Sequence, residues 1–305
     1  MKLYNVETKQ FKWPESLVTE IAERRCIIVL GAGASASSTN ELGNRPKDWS
    51  KFLRVAIRKM NDSQAQLLAI ELCDKGLFLD AAQIIHDHID PGDFDQVIQQ
   101  EFNPNIAFQP SDLHRNILSL DPKIVITTNY DKIYESLCNL DGAGASFNTL
   151  YYYSSNLLSE IRSKKRLIIK AHGCVNDSDK IVLTRKSYFD AKNDYPSFYK
   201  ILDSLFLINT VLFIGCSMSD PDINLLLEGV NISAKSSRSH YAISGDGRPI
   251  SIKNAIKTTY NLELLEYPEG EHHLVIDALE DLVTQVWHFR ETGGHIEDGE
   301  QDESE

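Results

Sequence analysis

Arg25-Cys26-Ile27-Ile28-Val29-Leu30-Gly31-Ala32-Gly33-Ala34-Ser35-Ala36 is the stretch that decides the fold. Five apolar residues, Cys26 to Leu30, run without interruption and stop at a glycine. That is the pattern of a strand buried on both faces of a parallel sheet. The turn that follows predicts three roles. Gly31 takes backbone angles closed to other residues, Gly33 lets a ligand approach the main chain, and Ala36 is small enough for helix and strand to pack. The N–H groups opening the next helix are then expected to face an anion such as a pyrophosphate. An ordinary strand-to-helix turn has the same spelling, so other segments have to decide between the two.

Working outward, the same alternation recurs. Pro14 to Glu23 reads as a helix before the first strand. From Trp49 to Leu120 the sequence is helical almost throughout, broken at Asn61-Asp62, Gly76, Pro91-Gly92, Pro104 and Pro110. This is too long for a simple crossover and predicts a helical insertion, about residues 49–120, at one edge of the sheet. Further buried strands are expected at Ile124–Thr127, Leu167–Lys170 and Val211–Ile214, a short one at Ile181–Leu183, then His240–Ile243 and Leu262–Tyr267, with a closing helix from Leu274 to Arg290. The expected architecture is α/β, a doubly wound, mostly parallel sheet over residues 1–290.

The 305-residue chain carries a formal net charge of −13, which argues against a direct grip on nucleic acid. No apolar run approaches the roughly 20 residues needed to span a membrane, and Met1 to Phe11 is too polar for a secretory signal. A cytoplasmic protein without membrane contact is expected. Five scattered cysteines, never paired as Cys-x-x-Cys, read as reduced structural thiols. Residues 291–305 hold acidic residues and glycine but no Lys or Arg, an acidic tail expected to be disordered.

The polar residues fall at strand ends. Four apolar strands finish in Gly31-Ala32-Gly33, in Thr128-Asn129-Tyr130-Asp131, in His172-Gly173 and in Gly215-Cys216-Ser217. Ligands of open α/β sheets bind beyond those carboxyl ends, so four clusters converge on one pocket. A histidine there can take a proton from water or a hydroxyl. Asn129 can donate and accept. Asp131 can hold a hydrogen-bond donor of a substrate, or cap the next helix. A hydride-transferring dehydrogenase is disfavoured, because the second strand with its acidic end, due about 20 residues after the glycines, is replaced by helix. His86-Asp87-His88 and His272-His273 lack a matching carboxylate and cysteine set, so no metal site is expected.

In these four motifs the chain resembles the sirtuin-like nicotinamide-dinucleotide-binding fold. Gly31 to Ser35 match its Gly-Ala-Gly-x-Ser loop, Asn129 and Asp131 its Asn-x-Asp, His172-Gly173 its His-Gly, and Gly215 to Ser217 its Gly-x-Ser. The departures matter as much. The two Cys-x-x-Cys pairs of the deacetylases' zinc module are missing, so no zinc is expected. Thr128 stands where those enzymes have glutamine, and Pro46 with Trp49 where they have Pro-Asp-Phe-Arg. Thr127-Thr128-Asn129-Tyr130-Asp131 and Gly215-Cys216-Ser217-x-x-Asp220-x-Asp222 resemble instead the zinc-less, sirtuin-like NAD-hydrolysing effectors of bacterial antiviral defence. The resemblance implies cleavage of NAD to nicotinamide and ADP-ribose, an oligomeric protein, and a partner such as a HerA-type ATPase or a short Argonaute. It implies Asn129, His172 and Asp131 as catalytic residues, with Asn129 on ribose and water, His172 as general base and Asp131 on the carboxamide. Gly31, Ala32, Gly33, Ser35, Thr128, Gly215 and Ser217 would hold the dinucleotide, and Asp222 reads first as a helix cap and second as a ribose ligand. Two other readings stay open: an NAD-dependent deacylase or ADP-ribosyltransferase, and a non-catalytic scaffold that binds NAD or ADP-ribose.

Overall fold

The computed structural model describes residues 1–5, 10–140, 147–217, 221–233 and 238–293, without the side chains of residues 140, 221, 222 and 233. Its centre is a seven-stranded sheet of β1 (Cys26–Leu30), β2 (Ile124–Thr127), β3 (Phe147–Tyr151), β4 (Arg166–Lys170), β5 (Thr210–Ile214), β6 (His240–Gly245) and β7 (Leu262–Tyr267). The spatial order is β3-β4-β2-β1-β5-β6-β7, and every pairing is parallel. β2 to β4 lie on one side of β1 and β5 to β7 on the other, so the order switches direction at β1, where such sheets open a crevice.

Each central strand is apolar on both faces because each face is covered. Ile28, Leu30, Val125, Ile168, Leu212 and Ile214 point into one core with helices Glu15–Ala22, Asp112–Ser119 and His273–Thr292. Ile27, Val29, Ile126, Ile169, Val211 and Phe213 point into the other, with helices Arg185–Asp194, Pro196–Ile208 and Pro221–Ser233. The two-residue period of a strand sorts one run of apolar residues into two cores. The expected doubly wound α/β sheet is the fold observed.

Three expectations differ. Ile181–Leu183 forms no strand; the Val182 amide instead donates to the His172 carbonyl (3.0 Å), and the apolar side chains of Ile181 and Leu183 sit in a third core beneath the insertion. That insertion lies over the carboxyl ends of the sheet rather than beside an edge. Its helices Trp49–Ile57, Ser63–Asp74, Phe78–His88 and Pro91–Phe102 share this third core with Cys174 and Val175, and Tyr130 and Tyr151 pack against it. Helix Asp112–Ser119, which reads as the end of the insertion, packs with Glu15–Ala22 and His273–Thr292 against the sheet. Helical periodicity specifies an apolar stripe but not its partner.

Two buried histidines set an acid limit on this fold. Burial pushes His114 and His240 down to about 4. The His240 Nδ1 accepts the Val211 amide (3.2 Å), a bond that exists only while that nitrogen is unprotonated. An unfolded histidine titrates near 6.5. Stability is therefore full above pH about 6.5, falls as the unfolded chain alone takes up protons, and levels off below about 4, by on the order of 3 kcal/mol per histidine. Urea unfolding at pH 7 and pH 4.5 measures this, and His240→Gln is expected to flatten the slope. An equal slope in the variant would remove His240 as its source.

Candidate active site

Strand register puts the four clusters in one row. Leu30 lies opposite Thr127 on one side and Ile214 on the other, and Thr127 lies opposite Lys170. The residues that follow, Gly31, Thr128, Gly215 and Ala171, therefore leave the sheet at the same height. No loop has to reach far to bring its polar group to the centre.

The glycines interlock two of these turns. Gly31 is extended, with φ −106° and ψ −177°, so it does not need unusual backbone angles, contrary to the sequence expectation. What it needs is space: a Cβ there would sit 2.6 Å from the Gly215 carbonyl oxygen, and one on Gly33 2.9 Å from the Gly215 Cα. The left-handed residue is Gly215, with φ +68°. The Gly31 amide donates to the Ile214 carbonyl (3.0 Å), that of Gly33 to the Gly215 carbonyl (2.9 Å) and that of Ala34 to Gly31 (2.9 Å). The following helix is a single turn, Ala32–Ser35. The picture of several unengaged amides at a helix start aimed at a diphosphate is corrected accordingly. The cations along the wall are Arg45, Arg248 and Lys47, the last paired with Glu101.

Asn129 is fixed through its side-chain NH2. Its Nδ2 donates to the Gly31 carbonyl (2.9 Å) and to Ser35 Oγ (2.8 Å), and its backbone amide donates to Thr127 Oγ1 (3.0 Å). A carbonyl only accepts, so the amide orientation is set by chemistry. Ser35 Oγ in turn donates to Asp131 Oδ2 (2.7 Å), while Asp131 Oδ1 accepts the Ile133 amide (3.0 Å) at the start of helix Ile133–Leu140. The helix-cap role that spacing left open for Asp131 is the one seen. Ser35 and Asp131 are both buried.

His172 follows β4 and is buried, its ring edge-on to Tyr188 with centroids 5.1 Å apart. Gly173 releases the chain behind it: φ is +82°, and a Cβ would lie 2.3 Å from the Lys180 carbonyl oxygen. Just before it stands a residue that the sequence reading passed over. Lys170 is 0% exposed, and its Nζ donates to Glu135 (2.5 Å) and to the Asp131 carbonyl (2.6 Å). Burial alone would lower its pKa, but Glu135, Cys174 and Asp131 together raise it, so it stays charged. The signal was present: a lysine ending the apolar run Leu167-Ile168-Ile169 is buried with its strand and requires a counter-charge.

A cavity of about 1420 Å³ opens over these strand ends, larger than the roughly 300–1,000 Å³ of drug-sized sites. Gly31, Ala32, Gly33, Ser35, Thr128, Asn129, Asp131, His172, Gly215 and Ser217 all line it. The Asp222 side chain and Asp220, like most of the acidic tail (294–305), lie outside the described residues. The insertion supplies an aromatic wall, Trp49, Phe52, Phe78 and Phe102, with Phe52 on Phe102 at 5.0 Å and Phe102 edge-on to Tyr130 at 5.2 Å. Helical periodicity could not have placed these in the site. Among the described residues no cluster of three or more His, Cys, Asp or Glu is placed to hold a metal, and no helix is long and apolar enough to cross a membrane.

Residues 123–265 match the family model of the SIR2-like domain. The chain is 28% identical over 189 residues to defense-associated sirtuin 2 of Bacillus subtilis, covering 61% of this chain and 17% of that protein. It is 22% identical over 253 residues to the NAD(+) hydrolase ThsA of Acinetobacter baumannii (81% and 48%), and 27% identical over 154 residues to the ThsA of Enterococcus faecium (50% and 31%). The chain thus spans less than half the length of each of these relatives.

Proposed function

We propose that this sirtuin-like chain hydrolyses the bond between nicotinamide and ribose in NAD, releasing nicotinamide and ADP-ribose, as an effector that depletes NAD in antiviral defence. One observation carries the reading: the His172 imidazole, the Asn129 amide and the glycine turn, drawn from three strands, line a single cavity large enough for an extended ligand.

The chemistry suits these groups. Nicotinamide leaves as a neutral ring that keeps the electron pair of the broken bond, so no strong acid is needed, unlike the two-carboxylate glycosidases. Water forms the new bond to the ribose carbon, and its proton passes to the His172 ring. Asn129, with both N–H bonds spent on Gly31 and Ser35, has its Oδ1 to offer, an acceptor suited to a water or a ribose hydroxyl. Thr128, Gly31 to Gly33, Gly215 and Ser217 form the floor on which the dinucleotide lies. A cytoplasmic homo-oligomer working with a HerA-type ATPase or short Argonaute completes the proposal, supported by the motif resemblance alone.

Incubating the purified protein with NAD and resolving nicotinamide and ADP-ribose by chromatography tests it, with the partner present if the chain alone is silent. His172→Ala and Asn129→Ala are each expected to lower kcat by about 10²-fold or more. A His172→Ala protein with full turnover would remove the assigned base.

A further inference from the structure

We infer that Asp131 and Ser35 are positioning residues for Asn129, and that the Asp131 carboxylate acts on the reaction through that amide. The inference rests on the NAD reading for its kinetic consequence, and on geometry alone for the relay itself.

Both Asp131 oxygens already have donors. Oδ2 accepts the Ser35 hydroxyl at 2.7 Å and Oδ1 the Ile133 amide at 3.0 Å, and the residue is 5% exposed. Two of the carboxylate's roughly four lone-pair sites are thus taken, and both bonds tie Asp131 to its own chain. Ser35 is likewise committed, since its proton goes to Asp131 and its lone pair receives Asn129 Nδ2 at 2.8 Å. The order of donors along the chain of bonds is therefore fixed from one end. The serine hydroxyl donates to the Asp131 carboxylate, and having donated there it accepts from Asn129. The Asn129 NH2 is drawn to Ser35 and Gly31, and Oδ1 is left for the ligand. Charge-assisted and buried, such a series is stronger than its neutral counterpart.

Changing Asp131 to asparagine keeps shape and reverses polarity. If the new side chain keeps its oxygen on the Ile133 amide, its NH2 faces Ser35, which then meets two donors and has nowhere to place its own proton. The Asn129 amide loses one of its two anchors and keeps only the Gly31 carbonyl. Ser35→Ala removes the same link while leaving the Asp131 carboxylate in place on the Ile133 amide. Both variants are expected to lower kcat by about 10²-fold with KM for NAD nearly unchanged, the pattern of an interaction expressed in the transition state.

The test compares NAD with its 3-acetylpyridine analogue, which keeps the ring carbonyl and lacks the amide donors. Asp131→Asn and Ser35→Ala are expected to slow both substrates alike, leaving the ratio of their kcat/KM values as in the unsubstituted protein. A ratio that collapses in Asp131→Asn but not in Ser35→Ala would assign Asp131 to the carboxamide and overturn the inference. The relay is also read without any substrate. The Asn129 side-chain NH2 resonances in a nitrogen-15 spectrum, identified by their loss in Asn129→Ala, should shift in both Ser35→Ala and Asp131→Asn. Unmoved resonances overturn the inference even if the protein cleaves NAD, and shifted ones uphold the relay even if it cleaves none, in which case the NAD reading alone fails.

Discussion

Lys170→Met is expected to destabilise the protein by about 3–5 kcal/mol, because it leaves Glu135 charged and buried without its partner. The pair is short and dry: the side chains are 1% and 9% exposed with nitrogen and oxygen 2.5 Å apart. Adding Glu135→Leu is expected to restore much of the loss, since two apolar side chains packed in place of a buried pair are often neutral or better. Turnover should behave differently. The Lys170 ammonium also holds the Asp131 carbonyl at 2.6 Å, and with it the loop that carries Asn129. The double variant is therefore expected to fold and still cleave NAD slowly. Urea unfolding and NAD turnover measured on all four members of the cycle separate the two effects. A double variant that regains both stability and rate would show that Lys170 only neutralises Glu135.

What could be read in the sequence, and what could not, follows from the range of the forces involved. The apolar runs of β1, β2, β4 and β5 announce themselves because a strand buried on both faces has few polar residues to interrupt it, and their carboxyl ends stand out because glycine, histidine and short polar residues begin where burial stops. That was enough to bring Asn129, Asp131, His172 and the glycine turn to one crevice. The partners of those groups were not legible. Asp131 presents the same letter whether it meets a ligand, Ser35 or the Ile133 amide, and only the separation of β1 and β2 in space, set by Leu30 lying opposite Thr127, brings Ser35 within 2.7 Å. The strand expected at Ile181–Leu183 fails for a related reason: three apolar residues mark burial, and here the burial is beneath the insertion, with the Val182 amide taken by His172 rather than by a neighbouring strand. The sequence suggests unusual backbone angles for Gly31 and room for a ligand at Gly33, whereas the neighbour that needs their missing side chains is another part of the same chain.

That interlock leads to the second large effect. Gly215→Ala is expected to cost about 3–5 kcal/mol, near the upper end for single substitutions, and to abolish the site. Two penalties combine. The residue has φ +68°, a region that costs an L-amino acid roughly 1–2 kcal/mol. Its new Cβ would also fall 2.2 Å from the Ala34 nitrogen and 2.7 Å from the Gly33 carbonyl carbon. These are backbone atoms that cannot rotate away, so the turn after β5 must part from the turn after β1. Gly33 would then lose its hydrogen bond to the Gly215 carbonyl, and Ser35, on the same turn, would be drawn from Asn129. Gly43→Ala isolates the first penalty, because Gly43 has a similar φ of +75° with nothing within 4 Å of its Cβ. It should lose only about 1–2 kcal/mol and keep its turnover. Urea midpoints for the two variants decide the matter: a Gly215→Ala protein no less stable than Gly43→Ala would mean that the turns yield easily, and that the shape of the cavity does not depend on their contact.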